Sequence, residues 1–149
     1  MNLLLIGTSV EDYIYIDGNV IHKGGGILYS TAALVSFVDE VILYLLTNIS
    51  KDTEQLFNDI YSDVRNDFIE IKEKIPQIHL KLYKDKERDE EYKNLSNKLN
   101  IIEKEIKFNH FDGILINMIT GFDIDLKDLK YIRENYNGII YMDVHSLAR

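Results

Sequence analysis

The 149-residue sequence has no cysteine. Disulfide frameworks, zinc–thiolate sites and thiol nucleophiles are therefore excluded, and a cytoplasmic protein is expected. No apolar run reaches the roughly 18–20 residues that cross a bilayer. The opening Met1-Asn2-Leu3-Leu4-Leu5-Ile6-Gly7 lacks the basic segment and small-residue cleavage site of a secretory signal, and reads as a first buried strand. Positive charge is scarce: Lys and Arg number 17 against 25 Asp and Glu, a net charge of −8. That balance argues against nucleic-acid or anionic-membrane partners, which need a basic field. A small anionic ligand at one local site stays compatible with it. The four histidines have no ligand spacing among them, so no histidine metal site is predicted.

What is present suits a globular domain: 46% hydrophobic and 28% charged residues, with enough chain for one core. Leu3 to Ile6 is a continuous apolar run, as in a strand buried on both faces. Tyr13–Ile16 and Val20–His22 flank Asp17-Gly18, a strong hairpin signal. Gly24, Gly25 and Gly26 read as a break in regular structure, opening onto a helix from Ile27 to Val38. Val41 to Leu46 is a further strand. Leu56, Phe57, Ile60 and Val64 recur at helical spacing within 53–64, with Ser50 or Asp52 as N-cap.

Phe68–Ile71 and Ile78–Tyr83 alternate as half-exposed strands, punctuated by the only proline, Pro76. The charged stretch 84–100 reads as loop followed by weak helix. Gly113–Met118 is a buried strand, Asp125–Tyr136 an amphipathic helix and Gly138–Val144 another buried strand. Strand–helix–strand alternation predicts right-handed crossovers and a mostly parallel sheet. After Val144 no helix follows to cover the last strand, which leaves one face open and hints at a truncated fold or a partner chain.

Ligands of open α/β sheets bind beyond the carboxyl ends of the strands. Polar and small residues fall there: Gly7, Thr8, Ser9, Glu11 and Asp12; then the glycine triplet; then Asp143, His145, Ser146 and Arg149. The glycine spacing fits neither a Walker loop nor a dinucleotide fingerprint. Taken alone, the triplet is more simply a turn than an anion cradle. Asp12 has the chemistry to bind sugar hydroxyls, since a carboxylate accepts hydroxyl hydrogen bonds well. Asp143 and Arg149 suit a phosphoryl-transfer site, with Arg149 on phosphate charge.

In order along the chain, four segments resemble the ribokinase-like PfkB family of sugar and nucleoside kinases. They are Ile6-Gly7-Thr8-Ser9-Val10-Glu11-Asp12, Gly24-Gly25-Gly26-Ile27-Leu28-Tyr29-Ser30-Thr31-Ala32-Ala33, Leu45-Leu46-Thr47-Asn48-Ile49-Ser50-Lys51-Asp52, and Tyr141-Met142-Asp143 through Arg149. The resemblance implies the N-terminal portion, 1–149, of one αβα sandwich domain with a mostly parallel sheet. It implies a small β lid near 12–23 and 68–95, with the fold truncated after the strand ending near Val144.

By carry-over, Asp12, Gly24, Gly25 and Asp143 would bind the acceptor, and Arg149 phosphate. ATP and Mg2+ are implied for the complete enzyme, with no contact assignable inside this chain. The Gly-Ala-Gly-Asp segment that supplies the anion hole and catalytic base is absent, so the base is expected beyond residue 149. Where the family often has Asn after the glycines, this chain has Leu28 or Tyr29. The expected activity is phosphorylation of a sugar or nucleoside hydroxyl, with this chain as the acceptor-binding part. The alternative is a non-catalytic α/β binding or interaction module. Expected partners are the small-molecule acceptor and either a C-terminal half or a second copy joined through the lid.

Overall fold

The computed structural model describes residues 1–37, 40–95, 98–119 and 121–143. The apolar opening forms β1 (Asn2–Gly7) at the centre of a five-stranded parallel sheet. Beside it lie β4 (Ile42–Ser50) and β8 (Gly113–Asn117), with β5 (Arg65–Lys72) and β9 (Ile139–Asp143) at the edges. The period of two along β1 splits its side chains between two cores. Leu4 and Ile6 join a cluster with Ile114, Ile116, Ile132 and Tyr136. Leu5 joins another with Ile27, Leu28, Phe57 and Tyr61. Both faces of the sheet are thus covered, the first by α3 (Leu126–Asn135) and the second by α1 (Ile27–Phe37) and the short α2 (Asn58–Tyr61). This is the expected αβα sandwich.

A second sheet of four strands has the order β3 (Asn19–Gly26), β2 (Ser9–Ile16), β6 (Gln77–Lys81), β7 (Asp89–Lys93). The β2–β3 hairpin closes with Ile16 opposite Asn19. Its two-residue turn puts Asp17 at φ 47° and Gly18 at φ 79°, the left-handed pair that matches strand twist. Of the stretch 68–95, β5 belongs to the large sheet, while β6 and β7 belong to the small one.

Four expectations need correction. The glycine triplet does not interrupt regular structure; it forms the last three residues of β3, paired with Ser9, Val10 and Glu11. Only Gly26 turns out of the strand, at φ 69°, where a side chain would strike the Thr8 carbonyl. The helix over 53–64 is instead a 3-10 turn (Lys51–Leu56) followed by α2. Its apolar stripe survives, because Leu56, Phe57, Ile60 and Tyr61 still pack into one cluster. Ser50 caps the turn without a side-chain bond to its backbone. The stretch 84–100 contains β7 and no helix among the described residues. Its acidic sequence hid a period of two, in which Glu90 and Tyr92 are the partly buried members. Finally, β9 is an edge strand and not a fully buried one: Ile139 and Tyr141 are exposed, as the open face expected for it implies, and no strand lies beyond it among the described residues.

The start of α3 is fixed by a reciprocal capping box. The Asp128 N–H donates to Asp125 Oδ1 at 3.0 Å, and the Asp125 N–H to Asp128 Oδ2 at 3.2 Å. The Asp128 backbone N–H, then Lys98, hold the Asp125 carboxyl below the usual range. A depressed carboxyl adds stability above its unfolded pKa, and that contribution fades as pH falls through the folded value. Asp125→Ala is expected to lower the melting temperature at pH 7 by about 3 °C. The deficit should shrink below pH 3, as read by circular dichroism melts.

Candidate functional site

The carboxyl end of the large sheet brings three sequence-distant residues into one row: Gly7 lies opposite Asn117, and Asn117 opposite Asp143. Asn117 Nδ2 donates to Asp143 Oδ2 at 3.0 Å. A side chain on Gly7 would lie 2.7 Å from the Asn117 carbonyl and 3.0 Å from Ile27, so glycine lets β8 and α1 close on β1. The next residue, Thr8, is 1% exposed and its hydroxyl has no partner among the described residues, a polar atom left at this rim.

From the same end the chain enters the small sheet through Ser9, which is completely buried. Its N–H donates to Thr47 Oγ1 at 2.9 Å, and its hydroxyl lies 2.8 Å from Thr47 Oγ1 and 2.7 Å from the Tyr61 hydroxyl. Burial pushes the Tyr61 hydroxyl well above its ordinary pKa. This network fixes the joint between the two sheets, and nothing in the sequence pattern singles out Thr47 or Tyr61.

Asp12 is the centre of the second locus. Pairing across the small sheet sets Lys23, Asp12, Ile78 and Tyr92 in one cross-strand row. The next row on the same face holds Ile14, Leu80 and Glu90. A side chain on Gly25 would come within 2.6 Å of the Asp12 Cγ, so the carboxylate lies directly over this glycine. The Tyr29 hydroxyl donates to Asp12 Oδ2 at 3.1 Å. Lys23 Nζ stands 5.3 Å from the Tyr29 ring centre. Burial raises the Asp12 pKa, while Tyr29 and Lys23 pull it back down. Asp12, Gly26, Tyr29, Ile78, Tyr92 and Ile119 face a cleft of about 190 Å³ between the small sheet and the loop after β8.

The structure therefore brings Asp12 and Gly25 together, but not Gly24. One residue earlier in the strand, Gly24 points to the other face, where a side chain would meet Leu28, Phe57 and the Leu56 carbonyl. It serves close packing there. Asp143 stands on the rim, two strands from β1, with Asn117 as its partner. His145 and Arg149 lie outside the described residues. Tyr29 was named in sequence only as a departure from an asparagine; its contact with Asp12 makes it part of the site. A larger open hollow of about 970 Å³ lies under the Asp17-Gly18 turn, away from the strand ends of the large sheet.

The opposite face of the small sheet is also polar. Glu11 is nearly buried, accepts from Tyr13 at 2.9 Å and Gln77 at 3.3 Å, and lies 3.0 Å from His22 Nε2. Tyr13 is stacked between His22 and His79, at 4.3 Å and 4.7 Å between ring centres. Among the described residues no helix is long and apolar enough to cross a membrane.

No protein-family model matches the sequence, and no curated protein matches it. Solved structures do. A sugar kinase from Pyrococcus horikoshii, described as uncharacterized, matches with TM-score 0.71 at 13% identity, over 97% of this chain and 53% of that one. Ribokinase from Thermotoga maritima matches with TM-score 0.69 at 13% identity over the same shares. The Methanocaldococcus jannaschii nucleoside kinase, an archaeal member of the ribokinase family, matches with TM-score 0.63 at 16% identity, over 95% of this chain and 52% of that one. The chain thus spans about half the length of these solved chains, and its fold is ribokinase-like, the fold expected from the glycine and aspartate segments.

Proposed function

We propose that this chain is the acceptor-binding part of an ATP-dependent kinase that phosphorylates a hydroxyl of a sugar or nucleoside. The observation that carries this reading is the Asp12 carboxylate, laid over Gly25 and held by Tyr29 beside a small cleft. Tyr29 bonds Oδ2, and Oδ1 is the oxygen offered to an acceptor hydroxyl. A charge-assisted hydrogen bond of this kind orients the hydroxyl. Asp143, tied to Asn117 at the rim, is the second proposed acceptor contact, and Arg149 the proposed phosphate contact. The base that takes the hydroxyl proton is assigned beyond residue 149.

ATP and Mg2+ are not assigned to residues here. Among the described residues no group of three or more His, Asp or Glu side chains is placed to hold a metal ion. The exposed apolar residues of β9, Ile139, Tyr141 and Met142, favour a covering layer of protein. In the kinase reading this is a C-terminal half; in the alternative, a non-catalytic module, it is a partner chain. An in-frame Gly-Ala-Gly-Asp segment downstream of codon 149 supports the first, and a stop codon followed by unrelated sequence supports the second. A cytoplasmic setting accords with the cysteine-free sequence.

Asp12→Asn tests the site in two directions. It should weaken acceptor binding by about 10- to 100-fold, the worth of a hydrogen bond to a charged group. It should also leave the protein at least as stable as the parent at pH 7. The sign follows from the raised pKa: the folded state holds the Asp12 proton more tightly than the unfolded chain does. Stability then falls as pH rises through the window between the unfolded and folded values, and asparagine removes that loss. Calorimetric titration and thermal melts at pH 3 and pH 7 read both effects. Unchanged binding in a folded variant would remove Asp12 from the site.

A further inference from the structure

We infer that Asn137 is a site of spontaneous self-modification, in which the Gly138 backbone nitrogen displaces ammonia from the Asn137 side chain and leaves mainly isoaspartate at the entrance to β9. The chemistry is independent of acceptor binding.

Asn137-Gly138 is the one Asn-Gly step in the sequence. It lies in the short connection between α3, which ends at Asn135, and β9, which starts at Ile139. Both residues are exposed and belong to no helix or strand. Among the described residues, neither the Asn137 side-chain amide nor the Gly138 N–H makes a hydrogen bond. A water-exposed amide carbon and an unengaged nitrogen one residue on are the two partners that close a five-membered ring.

Packing fixes the second partner as glycine. A side chain on Gly138 would strike the Tyr136 hydroxyl. That hydroxyl is buried and donates to the Phe111 carbonyl at 3.3 Å, so it has nowhere to retreat. Without a Cβ, the Gly138 nitrogen is open to approach from the preceding side chain. The fold thus demands at position 138 the residue that makes Asn137 most reactive.

The two Asp-Gly steps are held shut. Asp17-Gly18 is locked in the hairpin turn, at φ 47° and 79°. The Asp112 carboxylate accepts the Asn2 N–H at 2.7 Å, and the Asp112 N–H donates to the Asn2 carbonyl at 2.8 Å. Gly113 is itself paired inside the large sheet. Each also presents a carboxylate, a poorer electrophile than an amide.

Water is the only co-reactant. Hydroxide takes the Gly138 N–H proton, the nitrogen bonds to Asn137 Cγ, and the Cγ–Nδ2 bond breaks as Nδ2 leaves with a proton as ammonia. Water then opens the succinimide, with no atom oxidised or reduced. Breaking the bond between the nitrogen and Cγ gives aspartate. Breaking its bond to the Asn137 main-chain carbonyl carbon gives isoaspartate, with the backbone now running through Cγ. The main-chain carbonyl is the more electrophilic, because its α-carbon carries an amide nitrogen, so isoaspartate predominates. A chain already at −8 gains one more negative charge, and the isoaspartate form is one backbone carbon longer. Both changes fall just ahead of β9, which pairs with β8 alone among the described residues and ends at Asp143.

The test incubates the purified 149-residue chain at pH 6 and pH 8 and follows peptide 134–149, released by trypsin after Arg133, by mass spectrometry. An endoproteinase that cuts before aspartate but not before isoaspartate distinguishes the products. Asn137 is expected to convert before any other Asn or Asp, faster at pH 8 than at pH 6, with ammonia released in equal amount. Its rate in the folded chain should lie within about tenfold of its rate in urea, as at a connection that costs little to open. Asn137→Gln, checked for folding by circular dichroism, should lose the early ammonia release, because a glutamine side chain would have to close a six-membered ring. Earlier conversion of another residue, a folded-chain rate below that range, aspartate as the main product, or unchanged ammonia release from folded Asn137→Gln would each overturn the inference.

Discussion

Gly25→Ala is expected to lower stability by about 1–3 kcal/mol and to abolish measurable acceptor binding. The added methyl group has no room, because it would sit 2.6 Å from the Asp12 Cγ. Either β3 shifts from β2, or the Asp12 side chain rotates off the strand and leaves the Tyr29 hydroxyl. Both outcomes move the carboxylate that faces the cleft. Gly24→Ala is the control. Its methyl group would meet the Leu56 carbonyl at 2.8 Å and Phe57 at 3.0 Å, on the opposite face. It should cost similar stability while leaving binding by the folded fraction unchanged. Urea melts paired with titration of both variants separate the two roles. Equal binding by folded Gly25→Ala and the parent would contradict the placement of Asp12.

Thr47→Val should cost about 2–3 kcal/mol, although the two side chains have the same shape. Thr47 Oγ1 accepts the buried Ser9 N–H and contacts the Ser9 hydroxyl. Valine leaves that N–H without water or partner, and an unsatisfied buried donor is expensive. Tyr61→Phe should cost less, about 1 kcal/mol, because the Ser9 hydroxyl keeps Thr47. The double variant should cost less than the sum, since both act through Ser9. Denaturant midpoints at constant slope would check this. Strict additivity would mean that the three groups do not act as one unit.

The large sheet was legible because its three inner strands are buried on both faces and read as unbroken apolar runs: Leu3–Ile6, Val41–Leu46 and Gly113–Met118. The Asp17-Gly18 hairpin was legible because few residues tolerate two successive left-handed positions. The glycine triplet was misread for the same reason, in reverse. Glycine reads as freedom of backbone, yet Gly24 and Gly25 are needed for close approach inside a regular strand. β7 was missed because Asp89-Glu90-Glu91-Tyr92-Lys93 carries hardly any hydrophobic signal; its place is set by pairing with β6. In the site, Asp12 was found through its chemistry and its distance from Gly7. Tyr29, Asn117 and Thr47 were not found as site residues, because each gains meaning only from a partner 17, 26 or 38 residues away.

The small sheet joins β2 to β6 through side chains such as Glu11 and Gln77, 66 positions apart. A growing polypeptide therefore releases the β2–β3 hairpin from the ribosome long before its neighbour exists. Until residues 77–81 emerge, one border of β2 offers unpaired amides and carbonyls to any other extended chain. At roughly 5–20 residues per second that interval lasts several seconds. Nascent chains stalled between β3 and β6 should accordingly be captured by chaperones more often than chains stalled after β7.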